Sequence, residues 1–227
     1  MKTDQNDRWI IVRIDDKIAS VSTDYRHLAA ITARLAGTAS ADVKAYKELA
    51  ADTERISADT VSFDDIWKLR QTVRWEDLLL LGTDFQKRVW KKLWELTHGS
   101  DNTDTEKSDG KLLSYSDFAQ MCNNKAGVRA VAHAIGLNPI SVIIPCHLVV
   151  PKEAIDRINE IQRKAEATIF KGEDLCISKV LTDTAIDFGE YASGKELKRK
   201  LISLEYLNLQ NQSLVVIRTT PHAPLLP

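Results

Sequence analysis

Residues 138–150 have the sequence NPISVIIPCHLVV, in which a cysteine stands between a proline and a histidine at the end of an apolar run. The run 141–144 predicts a buried strand, and the apolar residues 148–150 predict a second one. Because proline cannot continue a strand ladder, Pro145 interrupts the first strand and turns the chain so that Cys146 is presented. Taken alone, a cysteine in an apolar strand favours an inert core residue.

Two further residues favour nucleophilic chemistry over an inert thiol. His147 follows the cysteine and offers a proton acceptor, and because neighbouring strand residues face opposite sides, the proton would pass through a water molecule. Glu205 lies near the apolar stripe of a helix predicted over 195–209. A carboxylate there is costly unless it accepts a hydrogen bond, and a histidine N–H is a natural donor. Cys146, His147 and Glu205 therefore predict a relay that generates a thiolate.

Upstream of this core, the sequence predicts two short helices joined by a tight turn. Ser114 caps the first helix, a turn is expected at 123–124, and the second helix, KAGVRAVAHAIG, is expected to end at Gly136. Such a pair is a helix-turn-helix, which docks DNA in many proteins and merely packs together in many others. The small side chains of the second helix suit either close approach to a groove floor or tight helix packing.

Residues 1–82 predict a mixed α/β N-terminal domain. Two strands are expected within 8–23, around a polar turn at 15–17, and a helical pattern follows over 27–57. This domain contains no catalytic constellation.

The C-terminal domain is placed over 83–210, where Thr83 or the residue after it caps the first helix. Residues 152–183 are charged and mostly helical in pattern, and they form an insertion before a glycine-bounded loop at 189–194. Residues 211–227 are predicted to be a C-terminal tail.

Composition excludes several classes of function. The 227 residues are 44% hydrophobic and 28% charged, which is typical of a globular protein of one large or two small domains. A net charge of −1 excludes a strongly basic polyanion binder, although residues 111–152 carry four basic side chains and one acidic one, a modest bias toward phosphate. Three cysteines without CxxC spacing, no apolar run of membrane-spanning length and no signal peptide predict a reduced, cytoplasmic protein.

Five motifs in order resemble the O6-alkylguanine-DNA alkyltransferases, also called methylated-DNA–protein-cysteine methyltransferases, a DNA repair family. They are LGTDFQKRVW, LLSYSDFAQ, the arginine-bearing second helix, GLNPISVIIPCH and the final helix. The resemblance covers 83–150 and 189–206 nearly continuously. It implies a ribonuclease-H-like α/β N-terminal domain and a mostly α C-terminal domain with a winged-helix-like helix-turn-helix.

The resemblance also implies an activity. The protein would be a monomeric, single-turnover enzyme that binds double-stranded DNA containing O6-alkylguanine, flips the damaged base and transfers its alkyl group irreversibly to Cys146. No cofactor is expected, because the alkyl donor is the DNA itself. No metal is expected either, because the histidines and cysteines lack ligand spacing.

The same resemblance assigns catalytic roles to individual residues. His147 and Glu205 would deprotonate Cys146 through a bound water. Tyr115 would donate a hydrogen bond or proton to the departing guanine, and Asn138 would orient the active-site turn.

Other residues would contact the DNA or the base. Arg129 would enter the base stack and occupy the space of the flipped nucleotide, and Tyr191 would line the alkyl pocket. The second helix would lie in the minor groove, where its small residues face the DNA. These small residues are Ala126, Gly127 and Ala130.

Two departures from the family pattern leave other functions open. Leu148 stands where the family has an arginine next to the nucleophile pair, and Ala192 stands where many relatives have a serine. One alternative is a non-catalytic alkyltransferase-like protein that binds the lesion, which Cys146 argues against and Leu148 keeps open. The other is a helix-turn-helix regulator that only binds DNA.

Overall fold

The structure, a computed structural model, describes residues 8–23, 55–99, 111–169 and 183–206. The described chain has mixed α/β content, with a three-stranded sheet at its N-terminal end and helices through the rest. Among these residues, no helix is both long enough and apolar enough to span a bilayer.

An antiparallel hairpin at the N-terminus confirms the two strands expected within 8–23. Strand β1 (Trp9–Ile14) pairs with β2 (Lys17–Ser22). The linking residues Asp15 and Asp16 both have positive φ, 49° and 64°, and aspartate tolerates this conformation better than most residues. Positive φ at both linking residues is what tight hairpin turns require.

Strand β3 (Ile56–Val61) completes the sheet in the order β2-β1-β3, antiparallel to β1. The prediction of helix through residue 57 is therefore wrong at 56–57. The backbone of the buried central strand β1 needs hydrogen-bond partners on both sides, and this requirement overrides a weak local helix preference. The rest of that predicted helix, 27–54, lies outside the described residues.

Two capped helices follow the sheet. Helix α1 (Phe63–Thr72) begins with a capping box between Ser62 and Asp65. Helix α2 (Asp84–His98) begins with a capping box between Thr83 and Gln86, which confirms the predicted cap. A single turn of 3₁₀ helix, Trp75–Asp77, lies between α1 and α2.

The predicted helix pair is present. Strand β4 (Leu113–Ser114) leads into helix α3 (Tyr115–Met121), whose cap is Ser114, and a 3₁₀ turn (Lys125–Gly127) leads into helix α4 (Val128–Gly136).

Helix α4 ends at Gly136, as predicted, although this glycine does not form a left-handed cap. It is the last residue of the helix, and its φ is not positive. The chain leaves the helix through Leu137 at φ −92° and ψ 5°, a conformation that needs no glycine.

The strand predicted over 141–144 is wrong. These residues form a tight, fully buried turn in which Ser141 bridges to Ile144 and Val142 has a φ of 70°. The backbone N–H and C=O groups form hydrogen bonds within the turn instead of with a neighbouring strand. For example, the amide of Ile144 donates to the carbonyl of Ile140 at 3.0 Å. An apolar run is equally compatible with a buried strand and a buried turn.

The second predicted strand is partly confirmed. Strand β5 (Val149–Val150) pairs in parallel with β4, while Leu148 belongs to a 3₁₀ turn, Cys146–Leu148. Helix α5 (Lys152–Ile169) then confirms the helical character of the first part of the 152–183 segment. Residues 195–206 form helix α6, and 189–194 form the predicted loop, with positive φ at Gly189 and Gly194.

One apolar core runs through the described chain, from Trp9 of the sheet to Ile202 of α6. Val21 connects the hairpin directly to the buried turn: its amide donates to the carbonyl of Pro139 and its carbonyl accepts from the amide of Ser141, both at 3.0 Å. The N-terminal hairpin therefore supports the turn that carries the cysteine.

Trp90 packs between α2 and α4, and we expect its removal to destabilise the fold. Its ring is fully buried, and its indole N–H donates to the carbonyl of Ala134 at 2.8 Å. We expect Trp90→Ala to lower the free energy of unfolding by about 3–5 kcal/mol, as measured by urea denaturation. Arg88→Ala, an exposed change on the same helix, should stay within about 0.5 kcal/mol of the wild type. Equal effects of the two changes would contradict this packing.

Candidate active site

The side-chain amide of Asn138 closes the turn that carries Cys146. Its Nδ2 donates to the carbonyl of Ile144 at 2.9 Å and lies 3.1 Å from the Cys146 Sγ. Its Oδ1 accepts from the amide of Ile140 at 3.0 Å. One buried side chain thus fixes both ends of the turn and points a hydrogen-bond donor at the sulfur.

The Cys146 thiol is almost completely buried, with 7% exposure. Burial raises the pKa of Cys146, while the hydrogen bond from Asn138 and the positive charge of Lys198 act in the opposite direction. The thiol therefore holds its proton at neutral pH and requires a base before it can react.

His147 and Glu205 form the pair that the sequence predicts. The His147 Nε2 donates to the Glu205 Oε1 at 2.8 Å, and both side chains are buried. Burial lowers the pKa of His147 against the opposing effect of Glu205. Burial also raises the pKa of Glu205, but the hydrogen bonds and charges of His147 and Arg70 outweigh it, so the net shift is downward. The resulting state is a neutral imidazole that donates to a carboxylate.

The second nitrogen of this imidazole has no hydrogen-bond partner among the described residues. In the neutral ring with Nε2 protonated, Nδ1 is an acceptor, and this Nδ1 is buried. A buried acceptor without a partner is uncommon in native proteins. It provides a lone pair that can take a proton from a neighbouring group or a bridging water.

Arg70 joins this site from helix α1, and the sequence analysis missed it. Its Nη1 lies 2.5 Å from Glu205 Oε1, the same oxygen that accepts from His147, and its side chain is 8% exposed. The spacing of residues in the sequence could have revealed it. Arg70 follows the buried Ile66 by four residues, so it lies on the apolar face of α1.

Lys198 is a second missed residue. Its ammonium group is buried and donates to the carbonyl of Val149 at 2.9 Å. Burial lowers the pKa of Lys198 to about 8. The signal is again spacing, since Lys198, Ile202 and Glu205 recur at intervals of four and three along one face of α6.

Two tyrosines lie close enough to Cys146 for its charge to affect them. Burial raises the pKa of Tyr115, and burial raises that of Tyr191 well above its ordinary value; a thiolate at Cys146 adds to both shifts. Both hydroxyls therefore keep their protons and can act as donors. The buried Tyr191 hydroxyl interacts with the side chains of Ser141 and Cys146, although neither contact has full hydrogen-bond geometry.

Four of the residues expected to contact DNA lie on helix α4 and the turn before it. Ala126, Arg129 and Ala130 are exposed, and His133 extends the same stripe by one turn. Gly127 is half-buried, and a Cβ there would lie 2.4 Å from the side-chain oxygen of Asn124. The glycine thus allows the turn to pack closely against Asn124.

Residues 105–167 match the family model described as "6-O-methylguanine DNA methyltransferase, DNA binding domain". This segment belongs to that domain family. The match confirms the resemblance inferred from the sequence, and it includes the thiol, its histidine and the α3–α4 helix pair.

Curated relatives of this DNA-binding domain carry consistent names. A probable methylated-DNA–protein-cysteine methyltransferase of Acanthamoeba polyphaga mimivirus is 46% identical over 76 residues, which cover 34% of this chain and 44% of that protein. The methylated-DNA–protein-cysteine methyltransferase of Haemophilus influenzae is 40% identical over 72 residues, covering 32% and 34%. The matched region therefore spans less than half the length of these relatives.

Solved structures resemble the chain at lower identity. The Mycobacterium tuberculosis OGT in complex with DNA is 28% identical, covering 57% of this chain and 53% of that chain, with a TM-score of 0.35. The O6-methylguanine-DNA methyltransferase of Pyrococcus kodakaraensis is 19% identical, covering 90% and 95%, with a TM-score of 0.47.

Leu148 follows His147 and stands where the family has an arginine. Its side chain is fully buried in the apolar core. No cation is therefore supplied from this position, and the guanidinium at the site comes from Arg70 instead. Ala192 is exposed in the loop after Tyr191. Within the described ranges, no group of three or more His, Cys, Asp or Glu side chains could hold a metal ion.

The lowered pKa of Lys198 gives a testable dependence of stability on pH. In the unfolded chain this amine keeps its proton up to its ordinary pKa of 10.5, whereas the folded protein releases it near pH 8. The unfolded state binds more protons across this window, so the contribution of Lys198 to stability rises with pH.

We therefore compare the wild type with Lys198→Met by urea denaturation between pH 8 and 10.5. The free energy of unfolding of the wild type, relative to the variant, should increase by about 3 kcal/mol across the window. The exposed substitution Lys200→Met should show no such change. A constant difference for Lys198→Met would show that this amine is not desolvated.

Proposed function

We propose that this protein repairs DNA by transferring an alkyl group from the O6 atom of guanine directly to Cys146, once per molecule. The observation that carries the proposal is the buried His147–Glu205 hydrogen bond beside a buried thiol, which leaves the imidazole Nδ1 able to accept a proton. The names of the curated relatives support the same chemistry.

The transfer begins with the loss of the thiol proton. Cys146 is protonated at rest, and His147 Nδ1 takes the proton, through a bridging water, while Glu205 stabilises the imidazolium that forms. Asn138 contributes a hydrogen bond that favours the charged sulfur. Even a free thiol is only a few per cent ionised at neutral pH, so the buried Cys146 needs this proton transfer to become a competent nucleophile.

The sulfur then displaces the guanine at the alkyl carbon. The S–C bond forms as the C–O6 bond breaks, and the leaving guanine takes up a proton from Tyr115. The His147 imidazolium then returns a proton to Tyr115 through solvent, so the net result is transfer of the thiol proton to guanine. The product is a thioether, in which the sulfur has no ionisable proton left. Because no described group can displace the alkyl group from carbon again, each molecule acts once.

The DNA side of the proposal uses the exposed face of α4. The target atom lies inside the duplex, so the base must be extruded at a cost of a few kcal/mol. Arg129 is exposed and would fill the space of the extruded nucleotide, with Ala126 and Ala130 beside it at the groove floor. Gly127 would allow the turn before α4 to approach the backbone, and Tyr191 would line the pocket that receives the base.

The finer architecture belongs to the same proposal. The N-terminal domain, 1–82, would have a ribonuclease-H-like fold, and the C-terminal domain, 83–210, a winged-helix-like arrangement with an insertion at 152–183. Residues 211–227 would be a tail. The protein would act as a monomer, in the cytoplasm, on double-stranded DNA.

Intact-protein mass spectrometry tests the transfer itself. After incubation with a duplex oligonucleotide that carries O6-methylguanine, the full chain should gain the mass of one CH2 unit, because a methyl group replaces the thiol hydrogen, and peptide analysis should map the gain to Cys146. Cys146→Ser should gain nothing, because its hydroxyl is a far weaker nucleophile. Cys122→Ser should react like the wild type, since burial raises the pKa of Cys122 to about 11. Selective binding of the lesion without a mass gain would replace the proposal with a non-catalytic lesion-binding protein.

A second measurement tests base extrusion by Arg129. We expect Arg129→Ala to slow methyl transfer from the duplex by about tenfold or more, which corresponds to the loss of 1–3 kcal/mol of contact energy. Transfer from the free base O6-methylguanine, which needs no extrusion, should be unchanged. Arg163→Ala, an exposed change on α5, is the matched control. Equal slowing of both reactions by Arg129→Ala would contradict an extrusion role.

A further inference from the structure

Arg70 connects the N-terminal part of the chain to the proton relay. It lies on α1, 135 positions before Glu205, and its guanidinium is held against Oε1 of that carboxylate at 2.5 Å. The same oxygen accepts the His147 Nε2–H at 2.8 Å. None of the catalytic or DNA-binding roles assigned above includes Arg70.

We propose that Arg70 is a positioning residue of the relay, which keeps Glu205 ionised and oriented so that His147 donates Nε2–H and keeps Nδ1 free to accept a proton. The inference deepens the proposed function and rests on it for its biological meaning. It makes the reactivity of Cys146 depend on a helix outside the matched DNA-binding domain.

The charges around His147 explain what Arg70 changes. The charges of Glu205 and Lys198 on α6 and of Arg70 on α1 all act on the pKa of His147. Cys146 is its neighbour in the same turn. Glu205 favours the imidazolium, whereas Arg70 and Lys198 oppose it. With Arg70 present, the carboxylate is already balanced by a permanent cation, so His147 can remain neutral beside it. Without Arg70, the imidazolium becomes the available cation for this buried carboxylate.

Several contacts hold Arg70 in place. Its guanidinium carbon lies 4.8 Å from the ring centre of Trp67. Its carbonyl accepts from His98 Nε2 at 2.8 Å, and His98 is stacked on Trp94 at a ring distance of 3.4 Å. Contacts from both α1 and α2 therefore hold Arg70 in one position. A flexible surface arginine would not keep its charge at a fixed place beside the carboxylate.

Two substitutions in the full chain separate charge from hydrogen bonding. Arg70→Gln keeps a donor but removes the charge, and Arg70→Lys keeps the charge but loses the guanidinium fork. Arg74→Gln is the matched control, because Arg74 is an arginine four residues later whose side chain is 75% exposed. The primary readout is the titration of His147, followed by NMR with labelled histidine and assigned with a His147→Gln variant.

We expect Arg70→Gln to raise the pH midpoint of the His147 titration by about one unit or more. Arg70→Lys should restore most of the wild-type midpoint, and Arg74→Gln should leave it unchanged. The pH profile of Cys146 carbamidomethylation by iodoacetamide, mapped by mass spectrometry, should move in parallel, because the thiol and the imidazole exchange one proton.

A purely structural role for Arg70 would give a different result. Arg70→Gln would then lower the unfolding temperature while the His147 midpoint and the carbamidomethylation profile stayed at their wild-type values, and this would overturn the inference. Neither readout uses DNA, so the inference is tested even if the wild type gains no methyl group. Conversely, methyl transfer with an unchanged midpoint in Arg70→Gln would leave the proposed function intact and remove the role of Arg70.

Discussion

A single side-chain amide holds the geometry on which the site depends. Asn138 bonds to the backbone at both ends of a buried five-residue turn, Ile140–Ile144, and also reaches the sulfur of Cys146. A buried turn cannot rely on water for its polar groups, so each group needs a protein partner. Asn138 supplies these partners and a donor to the thiol at once, which links the conformation of the turn to the reactivity of the cysteine.

Around this turn, buried charges are arranged in compensated pairs. Glu205 has both Arg70 and His147 on one oxygen, and the ammonium group of Lys198 is bonded to a backbone carbonyl. A buried charge without a partner would cost several kcal/mol, so these contacts are a condition for placing ionisable groups next to an apolar core. Among the described residues, this arrangement leaves the imidazole Nδ1 of His147 as an unmatched acceptor, at the position where the proposed chemistry requires a base.

The sequence was sufficient for features that depend on local signals. Hairpin residues that tolerate positive φ, capping residues such as Thr83 and Ser114, and the Cys146–His147 pair with its carboxylate partner were predicted from neighbouring residues or from spacing along one helix. The turn at 141–144 was predicted as a strand, because periodicity does not distinguish a buried turn from a buried strand. Arg70 was missed because its partner lies on a helix far along the chain, and only the fold brings these two side chains together.

The contacts of Val21 have a consequence for how this site can be moved or divided. Its amide and carbonyl bind the chain on both sides of Ile140, so the hairpin acts as a backbone clamp on the reactive turn. A fragment that began at residue 83 would leave two backbone groups of this turn without their partners, in an interior that offers few replacements. The smallest portable unit of the site therefore consists of pieces from both ends of the described chain, and a graft onto another scaffold would have to carry the hairpin with it.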